Sequence, residues 1–253
     1  MLRMLMVAVA GLLWSGLAGA ADPDTKVYEM RVYYAPEGKL EALNARFRDH
    51  TLKLFEKHGI TSVGYWEPIE NPDRKLIYIL SYPSREAREA AWKAFRADPE
   101  WEKAKAASEA NGKLVAKVEE SFLKATDYSA AIQPSTTGDR VFELRTYIAT
   151  EGKLDNLHAR FRDHTCKLFE KYGMTNIGYW SPMEDQPGAK NTLVYIISHK
   201  SRDAAKESFA AFGKDAEWVA ARKASEEKAG GSLTVPMGVK SEFLKATDYS
   251  PIR

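Results

Sequence analysis

His50 and His164 are the sharpest candidates for proton chemistry in the chain. Each lies on an apolar stripe, between Phe47 and Leu54 or between Phe161 and Leu168, so helical spacing aims both rings inward. A histidine in that position can serve as a base, a proton shuttle or a ligand contact in a cleft. The competing reading is a core histidine whose ring N–H satisfies a carbonyl or a carboxylate. Glu29 with Arg31, and Glu143 with Arg145, lie two residues apart on strand-like segments and therefore share a face. If Tyr28, Met30 and Val32 pack under helices, these charges face the interior on the other side of the sheet. There they act either as an ion-pair network that fixes register or as an anchor in which Arg31 or Arg145 grips a carboxylate. Tyr65 and Trp66, with Tyr179 and Trp180, add flat surfaces with polar tips that line either an aromatic-ligand pocket or the core.

Other chemistries are excluded early. The 253 residues carry 37 basic and 35 acidic side chains, both signs mixed, so there is no basic field for nucleic acid. One cysteine, Cys166, rules out an intramolecular disulfide and every multi-cysteine metal or redox motif. Five histidines, two of them equivalent, give little for a transition-metal site, and no metal is expected. There is no nucleophile elbow, phosphate-binding loop or dinucleotide fingerprint.

These residues recur because the chain is a tandem duplication. Val27-Tyr28-Glu29-Met30-Arg31-Val32-Tyr33 returns as Val141-Phe142-Glu143-Leu144-Arg145-Thr146-Tyr147. The segment from Ala45 to Thr51 is repeated unchanged from Ala159 to Thr165. Gly64-Tyr65-Trp66 returns as Gly178-Tyr179-Trp180, and Phe122 to Tyr128 as Phe243 to Tyr249. The expected organisation is a signal peptide over 1–21, a first repeat over 22–128, a linker over 129–139 rich in Pro, Ser, Thr and Gly, and a second repeat over 140–253. The signal reading rests on Arg3, an apolar stretch from Met4 to Leu17, and Ala18-Gly19-Ala20 as a cleavage site. It implies a periplasmic or secreted protein with no membrane span after cleavage. Cys166 stands where the first copy has Leu52, which suits a buried small hydrophobe.

Within each copy the pattern reads β-α-β-β-α-β. A strand from Tyr28 to Tyr34 leads to an amphipathic helix from Gly38 to Lys57, and Gly59 ends it. Strands at Thr61 to Trp66 and Leu76 to Tyr82 follow. A second helix is capped by Ser84 and interrupted at Asp98-Pro99, and a last strand runs from Lys117 to Lys124. The fold class is α+β: two ferredoxin-like repeats whose sheets cover each other as an intramolecular pseudo-dimeric α/β barrel. The protein is then a monomer with an internal pseudo-dimer, or a higher homo-oligomer.

The opening strand, Gly38-Lys39-Leu40, Arg46 to Thr51, Phe55-Glu56-Lys57-His58-Gly59, Gly64-Tyr65-Trp66 and Asp98-Pro99-Glu100-Trp101 together resemble the NIPSNAP family. The resemblance recurs in the second copy. It implies the dimeric α/β barrel group, which includes cofactor-free and heme-degrading monooxygenases. Leu52 becoming Cys166 and His58 becoming Tyr172 make His58 a poor shared-site residue. The leading expectation is a binder of a small, partly apolar molecule in helix–sheet clefts, with no cofactor required. The rivals are a monooxygenase, cofactor-free or heme-dependent, using His50 or His164 as acid/base or axial ligand, and a non-enzymatic envelope interaction protein.

Overall fold

The computed structural model describes residues 24–136 and 138–253. The signal-peptide segment lies outside them, as does Thr137 of the linker. The first repeat contains β1 (Val27–Tyr34), α1 (Leu40–Arg46), α2 (Leu52–Lys57), β2 (Thr61–Pro68), β3 (Lys75–Tyr82), α3 (Arg85–Arg96), α4 (Pro99–Ser108) and β4 (Lys117–Ala125). The second contains β5 (Val141–Ala149), α5 (Leu154–Arg160), α6 (Cys166–Lys171), β6 (Thr175–Pro182), β7 (Thr192–His199), α7 (Arg202–Lys214), α8 (Ala216–Lys228) and β8 (Thr234–Ala246).

All eight strands close one antiparallel barrel in the order β1-β3-β2-β8-β5-β7-β6-β4. Each repeat supplies four neighbouring strands, and the seams are short ladders between β2 and β8 and between β4 and β6. Each seam pairs three residues of one strand with three of the other, so the earlier parts of β4 and β8 stay unpaired on the seam side. The polypeptide crosses each seam and docks on the other repeat. Asp127 takes a bidentate contact from Arg162 at 2.7 and 2.8 Å, and Asp248 takes the same contact from Arg48. Ser129 Oγ accepts from the Tyr179 N–H, and Ser250 Oγ from the Tyr65 N–H, each at 3.0 Å. The repeated Ala-Thr-Asp-Tyr-Ser run is thus a reciprocal clasp between the halves.

Apolar side chains form three clusters: one inside the barrel and one between sheet and helices in each repeat. Tyr28 belongs to the barrel cluster, with Met30 and Val32 packed against it. Glu29, Arg31 and Tyr33 therefore face the helices, and the condition that would have turned them to the interior, Tyr28, Met30 and Val32 packing under the helices, is not met. Alternation separates the two faces of a strand but does not say which is outward. The choice is made by donors, because the barrel interior offers apolar neighbours while α3 and the helix-facing side of β3 offer Arg88, Trp92 and Tyr82.

Barrel filling also explains Gly64 and Gly178. A Cβ on Gly64 would lie 2.2 Å from Trp66 Cη2, and one on Gly178 would lie 2.5 Å from Trp180 Cη2. Each indole lies over its own strand where a bulge shifts the register, and both tryptophans are fully buried.

The first helix of each repeat is not continuous. A π-turn spans Phe47–Thr51 between α1 and α2, and another spans Phe161–Thr165 between α5 and α6. Thr51 Oγ1 donates to the Arg46 carbonyl at 3.1 Å, and Thr165 repeats the bond to Arg160. Ser84 accepts from the Ala87 N–H, as the sequence reading expects, and the interruption at Asp98-Pro99 is a fresh helix start in which Asp98 caps α4 ahead of Pro99.

Gly64→Ala and Gly178→Ala should each lower stability by about 1–3 kcal/mol through overpacking. Gly213→Ala, at an open position inside α7, should raise it by up to about 1 kcal/mol. Urea unfolding of the three variants checks both signs.

Candidate functional site

Each repeat is organised around a carboxylate buried between sheet and helices. Glu29 has no exposure and accepts from Arg88 Nη2 at 2.6 Å, Arg88 Nε at 3.2 Å, Tyr82 OH at 2.8 Å and Trp92 Nε1 at 3.2 Å, and also from Arg31. Burial pushes the Glu29 carboxyl up, but the Arg88 hydrogen bond and the charges of Arg31 and Arg88 outweigh it and hold the group below its ordinary value. The second repeat meets the same requirement differently. Counted from the capping residues Ser84 and Ser201, Tyr82 becomes His199, Arg88 becomes Ala205 and Trp92 becomes Phe209. Glu143 is held by Arg145 and by His199 Nε2 at 3.1 Å, and these partners again lower its carboxyl against the upward push of burial.

Arg31 and Arg145 carry the network to a cavity. Arg31 also donates to Tyr78 OH at 3.0 Å and Glu120 at 2.7 Å, and Arg145 to Tyr195 OH at 2.9 Å and Tyr147 OH at 3.2 Å. The first cleft, 440 Å³, is walled by Tyr33, Phe47, Phe55, Trp92, Phe95 and Trp101, with Arg31 and Arg46 among its cations and Val118 at its edge. The second, 260 Å³, has Tyr147, Phe161, Phe169, Phe209, Phe212 and Trp218, with Arg145 and Arg160, and Val239 in the corresponding place.

The π-turns shape these clefts. Thr51 and Thr165 line them and are buried, while His50 is exposed and the His164 side chain is 40% exposed. The expectation that both histidine rings point inward is therefore corrected. A π-turn inserts one residue into the helical count, so the inward position passes from the histidine to the threonine after it. His164 Nδ1 lies instead 3.6 Å from Glu217 on α8. Neither histidine lines a cleft, so neither fits the role of an axial heme ligand there.

The aromatic pairs separate by strand parity. Tyr65 and Tyr179 join the helix-side clusters, whereas Trp66 and Trp180 fill the barrel. None of these four lines either cleft. Of the eight candidate ligand residues, only Arg31 and Arg145 reach the cavities, and Glu29 and Glu143 are their counter-charges. Sequence reading missed Arg46, Thr51 and Trp101 with their counterparts Arg160, Thr165 and Trp218. Identity between the copies was the available signal.

His58 Nε2 meets the capping Asp98 at 2.7 Å, and Tyr172 OH donates to Asp215 at 2.6 Å. The exchange of residue type thus preserves a brace on the cap. Cys166 is half-buried, and burial pushes its thiol up to about 11, so it stays protonated at neutral pH.

A duplicated α+β chain closing an eight-stranded antiparallel barrel, with a cleft under each helix layer, defines the class. The NIPSNAP family model matches residues 28–130 and 142–251, and the chain belongs to that family. No curated protein matches the chain. Among solved structures, a Lactobacillus acidophilus protein provisionally described as a monooxygenase is similar at 11% identity and TM-score 0.54, over 88% of this chain and 94% of that one. An anthrone oxidase-like protein is similar at 10% identity and TM-score 0.54, over 90% and 94%. A NIPSNAP-like domain protein from Burkholderia xenovorans matches at 16% identity and TM-score 0.39, over 45% and 96%. At these identities the likeness is one of fold.

Glu29→Gln removes the buried carboxylate that Arg31 and Arg88 share, leaving them only the more exposed Glu120 and Glu89, and should cost about 3–5 kcal/mol in denaturant unfolding. The lowered carboxyls also set a pH dependence. Unfolded Glu takes up its proton near the ordinary value of 4.5, before the folded groups do, so their contribution is full above that pH. Stability should fall as the pH drops from 4.5 through the folded-state values, and the slope should be shallower in Glu29→Gln.

Proposed function

We propose that this NIPSNAP protein binds a small, partly apolar molecule in its helix–sheet clefts. The observation that carries this reading is an aromatic-walled cavity with buried arginine in both repeats, built at the same π-turn. Pockets that hold small molecules set polar groups that fix orientation against apolar walls, and each cleft sets aromatic rings beside arginine and other polar side chains that make up about half of its lining. We read the two halves as ferredoxin-like repeats fused into a pseudo-dimer, with the duplication supplying both clefts in one chain. Residues 1–21 are read as a secretion signal that places the protein in the periplasm or outside the cell. Among the described residues, no helix is long and apolar enough to cross a membrane.

The fold-level likeness to proteins described provisionally as a monooxygenase and as anthrone oxidase-like supports an oxygenase as the second reading. Binding is favoured over it because neither histidine proposed as an acid/base group lines a cleft.

Thermal-shift screening against heme, quinones, flavins, fatty acids and aromatic acids should give a concentration-dependent rise in midpoint for at least one apolar class. The rise should shrink when the cleft mouths are blocked by Val118→Trp and Val239→Trp, two positions exposed enough to accept the larger ring. It should survive the double change His50→Ala and His164→Ala. A response that vanished with the histidines and ignored the blocked mouths would remove the clefts as the site. Secretion is checked separately: the exported protein should begin at Ala21 or Asp22 by mass spectrometry.

A further inference from the structure

The two clefts are duplicates in sequence and not in electrostatics. Arg46 and Arg160 hold equivalent positions immediately before the π-turns, with side chains 5% and 7% exposed. Arg46 donates to Glu109 at 2.9 Å, a charge-assisted hydrogen bond. The matching acid, Glu226, stays 3.6 Å from Arg160 Nη1, and the same Glu226 oxygen instead accepts from Arg222 Nε at 3.3 Å. Arg222 replaces Lys105 and lies one turn from Glu226 on α8. The competitor that draws the carboxylate off Arg160 is therefore built into the second copy.

Among the described residues, the Arg160 guanidinium makes no hydrogen bond, and Nε and Nη1 are buried without a partner. A buried cation in that state carries a desolvation cost that the distant Glu226 charge and the Trp218 ring only partly offset. Burial lowers the pKa of Arg160, whereas the network holding Arg145 raises it. The Thr165 hydroxyl is committed to the Arg160 carbonyl, and Arg145 to Glu143, Tyr195 and Tyr147. Trp218 stacks under the Arg160 guanidinium at 5.3 Å and fixes its plane. The cleft shares Trp218, Arg222 and Glu226 with an adjoining 470 Å³ groove, where Gly213 stands in place of Arg96 of the first copy.

We propose that the C-terminal cleft takes a carboxylate-bearing aromatic molecule, with the carboxylate on Arg160 and the rings against Phe209, Phe212 and Trp218. In the first cleft Glu109 already holds Arg46 Nη1, and only Arg46 Nε is buried without a partner, so its charge is largely taken. This assignment rests on the reading of the clefts as ligand sites and adds to it the charge of the ligand and a preference for one cleft. One guanidinium without a hydrogen bond, its charge already partly met by Glu226, matches a single negative charge, which favours a carboxylate over a phosphate dianion.

Calorimetric titration of the full chain with 1-naphthoate and with its uncharged counterpart 1-naphthalenemethanol tests the assignment. The expected result is one naphthoate per chain, bound at least tenfold more tightly than the alcohol. Arg160→Gln should bring the acid down to the affinity of the alcohol. Arg160→Lys, which keeps the charge, should retain part of the preference, and the exposed Lys228→Gln should leave it intact. Equal binding of acid and alcohol, indifferent to Arg160→Gln, would overturn the carboxylate assignment while leaving the clefts as ligand sites. Failure of both compounds to bind would overturn the assignment together with the reading it rests on.

Discussion

A carboxylate sealed from water must be surrounded by donors, and in each repeat these lie on the helix side of the sheet. Glu29 and Glu143 therefore decide which face of β1 and β5 turns outward. Once they are placed, Tyr28, Met30 and Val32 fall into the barrel, whose apolar filling leaves room for Trp66 and Trp180 only beside glycine. The same choice carries Arg31 and Arg145 to the walls of the clefts. Fold and site thus follow from one electrostatic requirement.

Duplication preserved that requirement and changed its means. Arg88, Tyr82 and Trp92 surround Glu29, whereas His199 and Arg145 serve Glu143 after Arg88 has become Ala205. The reciprocal clasp has been kept: Asp127 with Arg162, and Asp248 with Arg48. Surface pairs of this kind contribute little stability individually. Their value lies in fixing where each linker crosses the seam, which seats Tyr128 and Tyr249 against the opposite helix–sheet layer.

The repeat, the alternation of strands and helices, the cap at Ser84 and the helix break at Asp98-Pro99 were legible in the sequence, because each depends on local spacing or local hydrogen bonding. The outward face of β1 was not, since its donors sit on α3 and β3, distant in sequence. The π-turn escaped for a different reason. Phe47, His50 and Leu54 fit an uninterrupted α-helix as well as any stripe does, and nothing in their types marks the inserted residue. His50 and His164 consequently drew the functional reading, while the threonines after them line the cavities. Tyr65 and Trp66 show the limit of composition: adjacent strand residues must part to opposite faces, so the four aromatic residues of the two copies never met in one pocket.

The location of the ligand is the claim on which the functional reading stands, and the tryptophan indoles report it residue by residue. Trp218 lines the C-terminal cleft, while Trp66 and Trp180 lie inside the barrel. In ¹H–¹⁵N spectra of the protein titrated with 1-naphthoate, the Trp218 Nε1–H resonance should move and those of Trp66 and Trp180 should stay. Movement at Trp66 or Trp180 with Trp218 unmoved would put the ligand in the barrel and contradict a helix–sheet site.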